Sequence, residues 1–163
     1  MLPWDKRPVE IANILNAGFC SILIKDSISG FSQVNNKEMP YALSFIILPM
    51  VLHKPTRDCL PRSIRTQFHT WIERNQKVQV GFANRAHQLI PYTKEAIIFG
   101  MEAGIINITE SGRLALGNSS LKNIPWNSEA EVAICRKKAL FVGRWLAKGG
   151  KVSTIYILWG IRL

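Results

Sequence analysis

Apolar residues recur at two different periods along this chain, and the switch between them predicts a mainly helical fold with a small β component. Ile11, Leu15, Phe19 and Ile22 fall on one helical face, so Pro8 to Ile24 predicts a helix with Pro8 in its first turn. Ser27 to Lys37 is rich in Ser, Gly and Asn and predicts a loop. Met39 to His53 predicts a second helix that is apolar on nearly all sides, from Ala42 and Leu43 to Val51 and Leu52. Such a helix belongs at the centre of a core, or of a core completed by a partner. Pro49 should kink or tighten it.

Lys54 to Pro61 holds two prolines and predicts a loop. Arg62 to Asn75 follows as a helix with Phe68, Trp71 and Ile72 apolar, then Lys77 to Ile90 as another, with Val78-Gln79-Val80 open to an extended reading. Pro91 breaks the chain. Thr93 is a candidate N-cap for a helix over Lys94 to Ala103, and Gly104 a candidate stop. The period then drops to two. Ile106, Ile108, Leu114 and Leu116 alternate with Asn107, Thr109 and Arg113, which predicts a β-hairpin over Ile105 to Gly117 turning at Ser111-Gly112. Asn118 to Asn127 is a polar loop. Ser128 with Glu131 forms a capping box for a helix running to Lys148, and Gly149-Gly150 ends it. Val152 to Leu163 is β-branched and aromatic and predicts a C-terminal strand.

The expected class is mainly α (α+β): one helical domain over 1–163 with a winged-helix-like β-hairpin and a C-terminal strand. The winged-helix-like portion spans about 62–117, with Lys94 to Ala103 as recognition helix and Ser111-Gly112 as wing tip.

A length of 163 residues with 47% hydrophobic and 20% charged positions suits one globular domain. Cys20, Cys59 and Cys135 are odd in number and never at CxxC spacing, which argues against a disulfide framework and a structural zinc. No leader-like apolar run follows Met1, and the longest apolar stretch, Tyr41 to Leu52, is far shorter than the roughly 20 residues of a membrane span. A reduced, cytoplasmic, non-membrane protein is expected.

Charge adds a partner class. The net charge is +10, and no acidic residue follows Glu131. Lys137, Arg144 and Lys148 lie within about 40° on a helical wheel and form one basic stripe near Arg136. That stripe reads as a contact for phosphate or an acidic protein surface, or as a solvated helix face. Lys94 and Arg113, on the expected recognition helix and wing, join the candidate DNA contacts.

Chemistry is sparse. His53, His69 and His87 form no metal-binding spacing, and neither GxGxxG nor GxxxxGK[ST] occurs, so no cofactor is expected. A Cys59 nucleophile with His53 or His69 has no supporting signature and would predict loss of function on Cys59→Ser. The one specific-looking cluster is Leu52, His53, Lys54, Thr56 and Arg57, cationic and polar groups on a Pro-held turn after the most apolar helix. It is a candidate partner interface, or an ordinary turn.

Several strings resemble the middle component of three-component ABC systems, bacterial conflict systems that include Lamassu-type defence loci. They are Arg7 to Asn16 with Phe19-Cys20, Leu48 to Arg57 with Leu60-Pro61, Gly81 to Ala86, Pro91 to Gly100, and Leu158 to Arg162. The resemblance covers nearly the whole chain. It implies a non-catalytic adaptor with no active site to carry over, joining an SMC-like ABC ATPase to an effector, often a nuclease, with double-stranded DNA as a further contact. The other reading is a free-standing winged-helix DNA-binding regulator. The stretch Ala96 to Gly100 is poor in groups that read base edges and speaks against it.

Overall fold

A computed structural model describes residues 15–119 and 130–161. Among these, seven α-helices surround one small sheet. Helix α1 spans Ala17–Asn35; Asn16 caps it by accepting from the Phe19 N–H at 3.1 Å. The expected start at Pro8 lies outside the described residues. The expected loop over Ser27 to Lys37 is instead helix as far as Asn35. The buried face is also shifted, to Cys20, Leu23, Ile24, Ile28 and Phe31, leaving Phe19 and Ile22 half-buried.

The reason lies in helix α6, Glu131–Leu146, which packs along α1. A Cβ on Gly30 would lie 2.2 Å from the Leu140 carbonyl oxygen, and one on Gly143 would lie 1.9 Å from the Ser27 carbonyl oxygen. The two backbones therefore touch. Ser27 Oγ donates to the Ala139 carbonyl at 2.8 Å, and Asn35 donates to Ala147 at 2.9 Å. Small and polar residues that read locally as loop are here the seam between two helices, and packing outweighs a propensity cost of about 1 kcal/mol per glycine.

The expected helix over Met39 to His53 is divided. Met39–Pro40 is a short strand β1, Tyr41–Leu43 is a 3-10 turn, and Ser44–Val51 is α2. Every residue of α2 except Phe45 is buried, so it is a core helix, and it continues through Pro49. The expected loop at Lys54 contains the short helix α3, Lys54–Asp58, with His53 as its N-cap and Pro55 in its first turn. Helix α4, Phe68–Arg74, is shorter than the expected Arg62 to Asn75. The Val78 segment is a 3-10 turn, Gln76–Val78, not extended.

Two expected helices are one. Helix α5 runs from Phe82 to Glu102 straight through Pro91, so Thr93 is a fully buried helix residue and not an N-cap. Lys94 to Ala103 is accordingly not a separate recognition helix. Pro91 sits on the exposed side, while Phe82 and Ala86 before it and Ala96, Ile97 and Gly100 after it are buried. Packing on α1 and α2 from both sides of the proline holds the helix across the lost hydrogen bond. Gly104, at φ +68°, ends α5: its N–H bonds Met101 and the Ile105 N–H bonds Gly100, the double closure of a Schellman motif.

The hairpin forms as expected, β2 over Ile106–Ile108 and β3 over Arg113–Leu116, with Ile106 opposite Leu116 and Ile108 opposite Leu114. Strand β1 adds to its far edge, Met39 opposite Leu114, giving an antiparallel sheet in the order β1-β3-β2. The C-terminal strand does not form. Val152–Leu158 is helix α7. β-Branched residues need a neighbouring strand to satisfy, and here Ile155, Tyr156 and Trp159 are buried at helical spacing, with α7 packed against α4. That packing is aromatic: Phe68 stacks on Trp145 at 3.7 Å, Trp71 meets both Trp145 and Trp159, and Phe82 stacks on Trp159 at 3.9 Å. At the start of α6 the expected cap gives way to Ala130 as N-cap, with Ser128 outside the described residues.

Candidate partner-binding surfaces

The turn singled out in the sequence, Leu52 to Arg57, buries its last two residues. Thr56 is 0% and Arg57 1% exposed. Arg57 donates to the Val51 carbonyl at 2.7 Å and to Cys135 Sγ at 3.1 Å, and its second nitrogen pairs with Glu131. One guanidinium thus ties the end of α2 to the first turn of α6. This is where Glu131 is used in place of a capping box. Thr56 Oγ1 meets His53 Nδ1 at 2.8 Å and accepts from Arg85 of α5 at 3.3 Å. The cluster stitches α2, α3, α5 and α6 together. Lys54, paired with Asp58 at 2.7 Å, and Pro55 are exposed, and Leu52 and His53 are half-buried. As a partner interface this turn offers an edge, not a face.

Electrostatics follow the burial. The His53 imidazole is held below its ordinary value, first by burial and then by the Arg85 charge. Burial pushes the Cys135 thiol up, against the pull of Arg57, and pushes Cys20 up to about 12. A cavity of about 440 Å³ brings His53, Asp58 and Cys59 to one place. Among the described residues no hydrogen bond joins the His53 ring to Cys59, and Nδ1 is committed to Thr56. Nor does any group of three or more His, Cys, Asp or Glu among them suit a metal ion.

The candidate cations divide among three elements. Arg136, Lys137, Arg144 and Lys148 lie on or just after α6; Lys94 lies on α5 and Arg113 on β3. Arg136 is engaged with Asp26 at 2.8 and 3.3 Å, and Arg144 donates twice to Gln33 Oε1. Lys137, Arg144 and Lys148 are exposed, but α6 ends at Leu146 and not at the expected Lys148, so only the first two lie on the helix. Lys94 is exposed and, among the described residues, has no carboxylate partner.

Reading two helices where there is one hid a surface on α5. At about 100° per residue, Ala83, His87, Ile90, Lys94, Ile98 and Met101 fall within about 80° of arc. The first half of this stripe floors a groove of about 590 Å³ walled by Tyr41, Phe45 and Tyr156. In the second half Ile98 is 58% and Met101 41% exposed. The i, i+4 spacing was present in the sequence, but only a helix continuous through Pro91 joins its halves.

Among the described residues no helix is long and apolar enough to cross a membrane. No curated protein and no solved structure matches the chain significantly. The profile of one family matches residues 4–163, nearly the full length. The chain belongs to the family of the ABC-three component (ABC-3C) system Middle Component 3.

Proposed function

We propose that this middle component is a non-catalytic adaptor of a bacterial anti-phage or anti-plasmid defence complex. It joins an SMC-like ABC ATPase, as in Lamassu-type systems, to an effector that is often a nuclease. It holds the effector inactive until the ATPase engages foreign DNA. Family membership supports hetero-complex partners of some kind. The observation that carries the adaptor reading is the outward face of α5, where Ile98 and Met101 are open to solvent around a single Lys94.

The connectivity supports the same reading. The order α1, β1, α2, α5, β2, β3 with sheet order β1-β3-β2 supports a winged-helix reading. On that reading the first helix, first strand and second helix lie upstream of the expected 62–117, with residues 52–81 between the second helix and α5. Helix α5 then stands in the recognition position. A helix that reads DNA there presents donors and acceptors to base edges. Ile98 and Met101 present none, which favours a protein contact and disfavours the free-standing regulator. A contact between the α6 cations and DNA phosphates, within the complex, is compatible with the adaptor reading and is supported by the exposure of Lys137 and Lys148.

The test is co-purification. The tagged chain, expressed with its native neighbouring genes, is expected to recover a long coiled-coil ATPase in a salt-stable complex, with or without the effector. Recovery of the chain alone, as monomer or homodimer, would overturn the adaptor reading. A Cys59→Ser variant is expected to keep full protection; its loss with the complex intact would revive the enzyme reading.

A further inference from the structure

We propose that the groove beside α5, and the apolar stripe continuing from it, seat an amphipathic helix of another component of the same system. A carboxylate on that helix faces Lys94. The inference rests on the adaptor reading and names the surface and the chemistry of the partner.

Three observations carry it. The first is length. From Ala83 to Met101 the stripe covers five turns, about 27 Å at 1.5 Å per residue, which matches a partner helix of similar length laid along it. The second is relief. Over its first half the stripe lies at the bottom of a walled groove, with the Tyr41 and Phe45 rings edge to face at 5.3 Å on one side and Tyr156 lining it too. Tyr156 is braced by its hydroxyl, which donates to the Ala42 carbonyl, so the wall is built before any partner arrives. A preformed groove spares the ordering cost that weakens flexible interfaces.

The third is charge. The stripe carries no acidic residue, and among the described residues no carboxylate lines the groove. Lys94 stands in the middle, exposed and unpaired among the described residues. An apolar partner helix alone would bury that ammonium without compensation, at a cost that outweighs much of the gain from the surrounding contacts. A carboxylate at the matching position removes the cost and fixes the register of the docked helix. Double-stranded DNA would leave Ile98 and Met101 unmatched, and offers phosphates where one cation is available.

The experiment uses the complex purified with the neighbouring gene products. A carbodiimide activates a carboxylate for attack by an amine, forming the amide and leaving as its urea with the elements of water, so it joins Lys94 only to an acid already in contact. The expected product links Lys94 to an Asp or Glu in a helix of the ATPase or the effector. Lys94→Glu and Ile98→Asp should each weaken recovery of that component at least about tenfold. Both positions are exposed, so thermal melting should not change. Replacing the cross-linked acid with Lys should restore binding to Lys94→Glu. A complex that forms with no Lys94 cross-link, and that tolerates both variants, overturns the groove proposal and leaves the adaptor reading standing. A cross-link between two copies of this chain, or protection of Lys94 by duplex DNA, overturns it in favour of that occupant. Failure of the wild-type chain to enter any complex overturns both.

Discussion

Helices α5 and α6 both pack on α1, yet they turn opposite chemistries to solvent. The outward stripe of α5 is apolar with one cation; that of α6 carries Lys137, Arg144 and, just beyond its end, Lys148. The first gains free energy by leaving water, which suits a shaped protein surface. The second stays hydrated and acts at a distance, which suits a polyanion or an acidic face. A net charge of +10 is therefore not one property of the molecule. Composition suggested a polyanionic or acidic partner, whereas the fold separates an apolar surface on α5 from a basic one on α6.

The sharpest way to break the comparison is to remove the seam that holds α6 on α1. In an exposed helix Gly→Ala adds about 1 kcal/mol of stability. At Gly143 the new Cβ would lie 1.9 Å from the Ser27 carbonyl oxygen, and a backbone atom cannot rotate away. Overpacking of this kind costs about 1–3 kcal/mol and at times more. Gly143→Ala is expected to lower the melting temperature by well over 5 °C, with Gly143→Val worse. Unchanged melting for Gly143→Ala would show that α6 is not seated as described.

Next in size is charge reversal on α6. Lys137→Glu, Arg144→Glu and Lys148→Glu together should abolish protection in cells while leaving stability within about 0.5 kcal/mol per site, because all three are exposed. The same triple variant should still recover the partner helix through α5. If it loses that partner and keeps its salt-sensitive polyanion binding, the assignment of the two faces is reversed. Full protection would reduce the basic stripe to a solvated face.

How much of this was legible in the sequence depends on whether a signal was local. The hairpin was, because its alternation and its Ser111-Gly112 turn lie within twelve residues. The Gly104 stop was, because a Schellman closure is made by the residues beside it. The seam was not. Ser27 and Gly30 read as loop until residues over a hundred positions away supply the contact. Pro91 read as a break because local rules carry no term for burial on both sides of it. Val152–Leu158 read as a strand because the aromatic cluster that holds it as helix is assembled from α4, α5 and α6. Of the candidate cations, Arg57 is internal and Arg136 is paired with Asp26, and neither long-range contact is visible locally.

The smallest expected effect is a pH dependence, and it probes the joint between the two helices. His53 Nδ1 caps α3 and meets Thr56, which also accepts from Arg85 of α5. Burial and the nearby Arg85 hold the imidazole below its ordinary 6.5. Below that value the unfolded chain binds more protons at this position than the folded one, so stability should rise with pH through the window just under 6.5 and level off above it. Lowering the pH places a second cation beside Arg85 and removes the acceptor that the Thr56 N–H uses. His53→Asn retains a capping acceptor but cannot titrate. It should flatten the slope of unfolding free energy between pH about 5 and 7 while the wild-type chain keeps it. An equal slope in both would assign the dependence to other groups. A reversed slope would mean that His53 carries its charge in the folded state, and that the α5 end of this joint is more open to water than Thr56 and Arg57 imply.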